Sequence, residues 1–170
     1  MSGAHLWTAL RALVYGAVFI ALWIWLAYVA HLRDVPFGFP LPVWAAPIGV
    51  ALMAIGLGIM AVCVATFVLR GRGTPAPFDP PRAFVASGPY RWVRNPMYIG
   101  MFVFLVGYAL GAVSFAALLV AFAMLAITHL VAVLYEEPSL ARRFGEPYRE
   151  YRRTTRRWIP RPPRGRAGGS

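Results

Sequence analysis

The sequence predicts an all-α integral membrane helical bundle, with about four membrane segments and a C-terminal interfacial amphipathic segment. Three observations carry that prediction. Hydrophobic residues make up 59% of the 170-residue chain and the mean hydropathy is +0.60, a balance that belongs to membrane proteins rather than to soluble domains. Apolar runs of spanning length recur, separated by segments rich in Arg, Gly and Pro. After Glu137 the pattern changes to aromatic residues at helical spacing among arginines.

Residues 12–30 form the first span, close to the roughly 20 residues that cross a hydrocarbon core. Trp7 and Tyr28 stand where interfacial aromatics are expected. The run is longer than the apolar region of a signal peptide and no small-x-small cleavage site follows it, so it is expected to remain as a span. A turn with Arg33, Asp34, Pro36, Gly38, Pro40 and Pro42 follows. Residues 43–69 form the second span, in which Gly49, Gly56 and Gly58 suit a close helix contact. Residues 70–81 are a Gly- and Pro-rich polar loop. Asn95-Pro96 opens the third helix, Asn suiting the N-cap and Pro the first helical position. It runs to about residue 110, before Gly111, and so is roughly 22 Å long against a core of roughly 30 Å. Two accommodations fit: a recess with the Asn95 end below the membrane surface, or a tilted hairpin in a thinned bilayer. Residues 113–135 are long enough to span fully. From 139 to 157, Leu140, Phe144, Tyr148 and Tyr151 recur among arginines, with Gly145 and Pro147 as interruptions. Residues 161–170 read as a disordered tail. Residues 1–160 are then one membrane domain, a two-span part (1–81) followed by a core (82–160).

The net charge is +11, and all 17 basic residues are arginine. They cluster beside the spans rather than in a nucleic-acid footprint, so no nucleic-acid partner is expected, and the positive-inside rule puts both termini and the central loop in the cytoplasm, with the chain in a bacterial inner membrane. A single cysteine, Cys63, excludes an internal disulfide and reads as a small core residue. The chain has no Gly-rich dinucleotide loop, no His/Cys metal cluster and no nucleophile elbow.

The residues able to carry chemistry sit on both sides of the 101–135 run. Glu136 and Glu137 end the last long apolar helix, where carboxylates oppose the macrodipole and ionisable groups are often functional. Arg94-Asn95-Pro96-Met97-Tyr98 opens the preceding helix, and its free N–H groups favour a carboxylate or phosphate. Tyr90 and Tyr98 flank that turn, with rings suited to stacking or to a sulfonium. His129 shares a helix face with Glu136 and suits a pocket lining.

Two ordered signatures emerge: Phe84-Val85, Gly88, Tyr90 and Arg94-Asn95-Pro96-Met97-Tyr98-Ile99-Gly100, then Glu136-Glu137, Phe144-Gly145, Tyr148, Tyr151 and Ile159-Pro160. Together they resemble the C-terminal core of the isoprenylcysteine carboxyl methyltransferase family and its phospholipid methyltransferase relatives, over residues 82–160. The resemblance implies a membrane methyltransferase that uses S-adenosylmethionine and takes its acceptor laterally from the bilayer. Carried over by position, cofactor contacts fall on Arg82, Ala83, Phe84, Val85, Tyr90, Asn95, Pro96, Met97, Tyr98 and Glu136. His129 and Glu137 are the substrate-pocket candidates, and no residue is assigned as catalytic. Asn95 stands where the best-known members carry His, and Ala132 stands where eukaryotic carboxyl methyltransferases carry a substrate-binding Arg.

The implied chemistry is in-line transfer of a sulfonium methyl to a carboxylate, amine or thiol of a lipophilic or small acceptor, the protein supplying proximity and a dry pocket. Two other readings fit parts of the pattern. Membrane sterol reductases, which use NADPH, resemble the Asn-Pro-x-Tyr and Phe-Gly-x-x-Tyr segments, and the Arg-rich tail suits a non-catalytic protein that binds anionic lipid.

Overall fold

The computed structural model describes residues 3–34, 42–67, 69 and 85–162. Its helices are α1 (Gly3–His31), α2 (Ala45–Thr66), α3 (Pro96–Gly111), α4 (Phe115–Val131), α5 (Glu137–Phe144) and α6 (Glu146–Thr154). A short 3₁₀ turn (Gly88–Arg91) precedes α3, and a π turn (Ala132–Glu136) joins α4 to α5. No strand occurs among the described residues. Three segments are long and apolar enough to cross a membrane, Leu13–His31, Ala45–Thr66 and Phe115–Phe144, with Pro96–Gly111 as a shorter apolar helix. The all-α membrane bundle expected from the hydropathy pattern is the fold observed.

Antiparallel packing of α2 on α3 is built on glycine. Gly49 lies against Gly107, and Gly56 against Gly100. A Cβ on Gly56 would come within 2.5 Å of Gly100 O and 2.6 Å of Phe104 N; one on Gly107 would come within 2.6 Å of Gly49 O. Helices in lipid gain little from hydrophobic exclusion, so close backbone approach and the dispersion it permits supply the attraction. Gly58, by contrast, has nothing within 4 Å of its Cβ position. The second-span glycines thus divide into two that form the contact and one that faces outward. Met60, Cys63, Met101, Leu105 and Met124 fill the core around this seam, and Cys63 is the buried core residue expected.

At one edge of the bundle, α1 is tied to the α3–α4 turn. Ser114, the N-cap of α4, accepts from Ala117 N (3.0 Å) and donates to Asp34 Oδ2 (2.6 Å), which also accepts from Ala116 N (3.0 Å). A carboxylate from the end of α1 therefore satisfies the positive end of α4.

The last span departs from expectation in one respect. Glu136 and Glu137 do not end it; the helix continues through the π turn to Phe144. Pro138 has no N–H and disrupts an α-helical ladder. The widened turn absorbs that break, with Glu137 N donating to Ala132 O five residues back. Glu137 consequently lies where the π turn gives way to α5, inside a continuous helix and not at its end. Gly145, at φ 60° and ψ −133°, then separates α5 from α6 in a backbone conformation that suits glycine. The interruption expected at Gly145 is where the amphipathic segment bends.

The glycine seam makes a direct prediction. Gly56→Ala should destabilise the detergent-solubilised protein by about 1–3 kcal/mol, the usual range for overpacking, whereas Gly58→Ala should leave thermal unfolding unchanged. Equal melting temperatures for the two variants would contradict the seam.

Candidate functional site

The start of α3, the end of the last span and the segment after α6 converge at one end of the bundle. The segment following α6 runs along the loop before α3 and is fastened to it by backbone hydrogen bonds: Arg94 N donates to Arg156 O (2.9 Å), and Arg161 N donates to Trp92 O (2.8 Å). Tyr151 Oη adds a third fastening to Tyr90 O (2.7 Å). Burial pushes the Tyr148 hydroxyl up to about 12, with the Glu137 charge adding to it. Burial, and then Tyr148, push Tyr151 upward as well. Both phenols therefore stay protonated at neutral pH and are available as donors, not bases.

A buried carboxylate organises this strap. Glu137 is 6% exposed. It accepts from Arg157 Nε (2.7 Å) and Nη2 (3.0 Å) in a bidentate fork. Arg94 Nη1 lies 3.0 Å from Glu137 Oε1 as an ion pair off the hydrogen-bond axis, and Arg152 Nε lies 3.8 Å from Oε2. The bond to Glu137 pushes the Arg157 guanidinium further up. Each guanidinium comes from a different segment: the loop before α3, α6, and the strap.

The neighbouring carboxylate has a different role. Tyr98 Oη donates to Glu136 Oε1, across 38 residues of sequence. The Tyr98 ring meets Phe19 of α1 (centroids 5.8 Å apart) and Trp158 of the strap (6.5 Å). Trp158 Nε1 in turn donates to His129 Nδ1 (3.0 Å), with the two rings 5.9 Å apart and tilted by 32°. A row of rings, Phe19, Tyr98, Trp158 and His129, thus crosses from α1 to α4 beside Glu136.

The structure places the sequence-derived candidates as follows. Tyr90 is buried, edge-on to Phe67 (5.1 Å), and burial pushes its hydroxyl up. Its 3₁₀ turn presses on the end of α2: Gly88 has φ +58°, and a Cβ there would come within 2.8 Å of Thr66 Oγ1. Asn95 occupies the N-cap position of α3, but its side chain makes no capping bond, and its Nδ2 is buried without a partner. Val85, Pro96 and Met97 are buried. Tyr98, Glu136 and His129 join the ring row, and Glu137 lies in the guanidinium cluster. Arg82, Ala83 and Phe84 lie outside the described residues. Sequence reasoning missed Arg94 as the partner of Glu137, and it missed Arg157, Trp158 and Phe19. Trp158 directly precedes the Ile159-Pro160 signature, but a tryptophan at a membrane edge reads equally as a belt residue.

The Phospholipid methyltransferase family model matches residues 45–147, more than half of the chain, and the chain belongs to that family. The match runs from α2 to the start of α6 and leaves out α1 and the strap. No curated protein matches the chain.

The strap depends on Glu137. Glu137→Gln removes the charge that compensates three arginines and should cost about 3 kcal/mol or more, the range for breaking a buried ion pair. Hydrogen exchange at residues 155–161 should rise in this variant and not in Glu146→Gln, whose carboxylate is solvated. Unchanged exchange in Glu137→Gln would rule out the clasp.

Proposed function

We propose, starting from membership of the Phospholipid methyltransferase family, that this membrane protein transfers a methyl group from S-adenosylmethionine to a heteroatom of a lipophilic or small acceptor that reaches the site from the bilayer. The observation that carries this reading is the Tyr98–Glu136 hydrogen bond. It joins the α3 signature to the Glu-Glu signature, so the cofactor contacts implied for each signature belong to one place.

The donors and acceptors present fit such a cofactor. Asn95 Nδ2 is a buried donor without a partner, and a buried unpaired donor is unfavourable unless something supplies an acceptor. Because Asn95 does not cap α3 through its side chain, the first-turn N–H groups of Met97 and Tyr98 also face outward from the helix start. Amide and helix terminus together suit the methionyl carboxylate. Glu136 offers an acceptor oxygen for hydroxyl or amine groups, and the Tyr98 ring offers a face for a cation or a planar base. When bound, S-adenosylmethionine supplies an electrophilic methyl on a sulfonium, leaving the protein to bind, orient and exclude water.

Glu137 is engaged by guanidinium groups and His129 Nδ1 by Trp158, so neither is free at those atoms to take a proton. That favours a nucleophile that arrives deprotonated, as a carboxylate, thiolate or neutral amine does. The arginine-rich end, with α5 and α6, is assigned to the cytoplasmic face by the positive-inside rule, where the cofactor is made available.

Thermal unfolding in detergent tests the reading. S-adenosylhomocysteine should stabilise the wild type progressively with concentration, by about 2.7 kcal/mol at a hundredfold excess over its Kd. Glu136→Gln and Tyr98→Ala should each weaken that binding about tenfold, as expected for losing a hydrogen bond to a charged group. Stabilisation by NADPH and not by S-adenosylhomocysteine would overturn the proposal.

A further inference from the structure

We infer that His129 donates a hydrogen bond to an oxygen of the methyl acceptor, and that Trp158 is the residue that positions it for this. The inference rests on the methyl-transfer reading for the identity of its ligand, but its geometry is independent of that reading.

Indole Nε1–H can only donate. Its 3.0 Å contact therefore makes His129 Nδ1 the acceptor, and the neutral imidazole carries its single proton on Nε2. That Nε2–H has no hydrogen-bond partner among the described residues, and it is not sealed inside the protein. His129 belongs to an apolar span and is itself half-buried. A donor at such a position is unfavourable until an acceptor reaches it.

The hydroxyl of the adjacent Thr128 does not meet that need. Thr128 returns its hydroxyl to its own helix, donating to Met124 O (2.8 Å) and Leu125 O (3.2 Å). None of the described residues supplies the acceptor, so that place is open to a bound molecule. The tilted indole of Trp158 contacts both the His129 ring and the ring of Tyr98, which is itself bonded to Glu136. An acceptor molecule whose carbonyl, carboxylate or phosphodiester oxygen meets Nε2–H would have its remaining length beside the proposed methyl donor. The same geometry excludes His129 as the base: its one free nitrogen already holds a proton.

Trp158 acts through His129 and not on the acceptor directly. The strap aims it: Arg157, adjacent in sequence, is clamped to Glu137, and Arg156 and Arg161 on either side are bonded to the loop before α3. The indole is thus held at both flanks, and the imidazole tautomer follows from it.

The test is histidine ¹⁵N–¹H correlation spectroscopy on protein in maltoside detergent, with His129 assigned by comparison with His129→Gln. Wild-type His129 should show the Nε2–H tautomer, and Trp158→Phe, which preserves an aromatic ring, should show a mixture of tautomers. Dihexanoylphosphatidylethanolamine should shift the His129 resonance, and decylamine, which has no acceptor oxygen, should not. His129→Gln keeps a donor where Nε2 sits and should bind that phospholipid within about threefold of wild type. His129→Asn keeps only the group facing Trp158 and should bind about tenfold more weakly, the factor expected for one lost hydrogen bond. An Nδ1–H tautomer in the wild type, equal responses to both additives, or wild-type affinity in His129→Asn overturns the inference. A wild type that binds S-adenosylhomocysteine but shows no His129 response to the phospholipid overturns this inference alone. A wild type that gives the His129 response without binding S-adenosylhomocysteine overturns the methyl-transfer reading alone.

Discussion

The arrangement at the site depends on the burial of one carboxylate. Glu137 sits at the edge of an apolar span, and an ionised carboxylate is not held there without compensation. Compensation arrives from three places that no local pattern would join: Arg94 before α3, Arg152 on α6, and Arg157 on the strap. Satisfying Glu137 therefore folds the C-terminal segment back over the start of α3. The backbone bonds from Arg94 to Arg156 and from Arg161 to Trp92 follow as the two segments come alongside. A buried ion pair of this kind contributes little net stability compared with apolar packing. Its effect is positional, because the Arg157 fork sets where Trp158 goes.

The second constraint is the glycine seam between α2 and α3. It lets the shorter helix pack closely along a full span, with backbone meeting backbone where Gly49 faces Gly107 and Gly56 faces Gly100. With 16 residues, α3 is about 24 Å long, less than the roughly 30 Å of a hydrocarbon core. The deficit falls at a helix end, and at the Asn95 end it leaves N–H groups and an unpartnered amide beside Tyr98 and Glu136. Shortness and polarity at that helix start are thus one feature.

Much of this was legible in the sequence, for physical reasons that also mark where legibility ended. The spans follow from apolar length, the break at Gly145 from backbone freedom, and the α3 start from Asn95-Pro96. These are local signals, each contained within a few residues. The glycines of α2 could be noticed but not sorted, because the partner that distinguishes Gly56 from Gly58 lies on another helix. The capping of α4 by Asp34 spans 80 residues and leaves no local trace. Glu136 and Glu137 were identifiable as unusual, yet they were expected to end the helix because the apolar run stops at residue 135, and a π turn that carries the helix onward has no local signature. Trp158 was hidden by its residue type, since a tryptophan near a membrane edge is ordinary.

The adjacent glutamates show how one short sequence element serves two purposes. Successive residues of a helix point in directions about 100° apart, so two neighbouring carboxylates cannot share one environment. The π turn ends between them, with Glu136 as its last residue and Glu137 as the first of α5. Glu136 turns toward α3 and meets the Tyr98 hydroxyl; Glu137 turns toward the strap and meets guanidinium groups. A tyrosine hydroxyl is neutral and leaves the Glu136 carboxylate with acceptor capacity in hand, whereas the guanidinium fork occupies both oxygens of Glu137. One glutamate is therefore fully engaged by the strap, while the other keeps an oxygen outside its bond to Tyr98. Glu137 brings the strap and the start of the short helix together, and Glu136 ties the same junction to Tyr98.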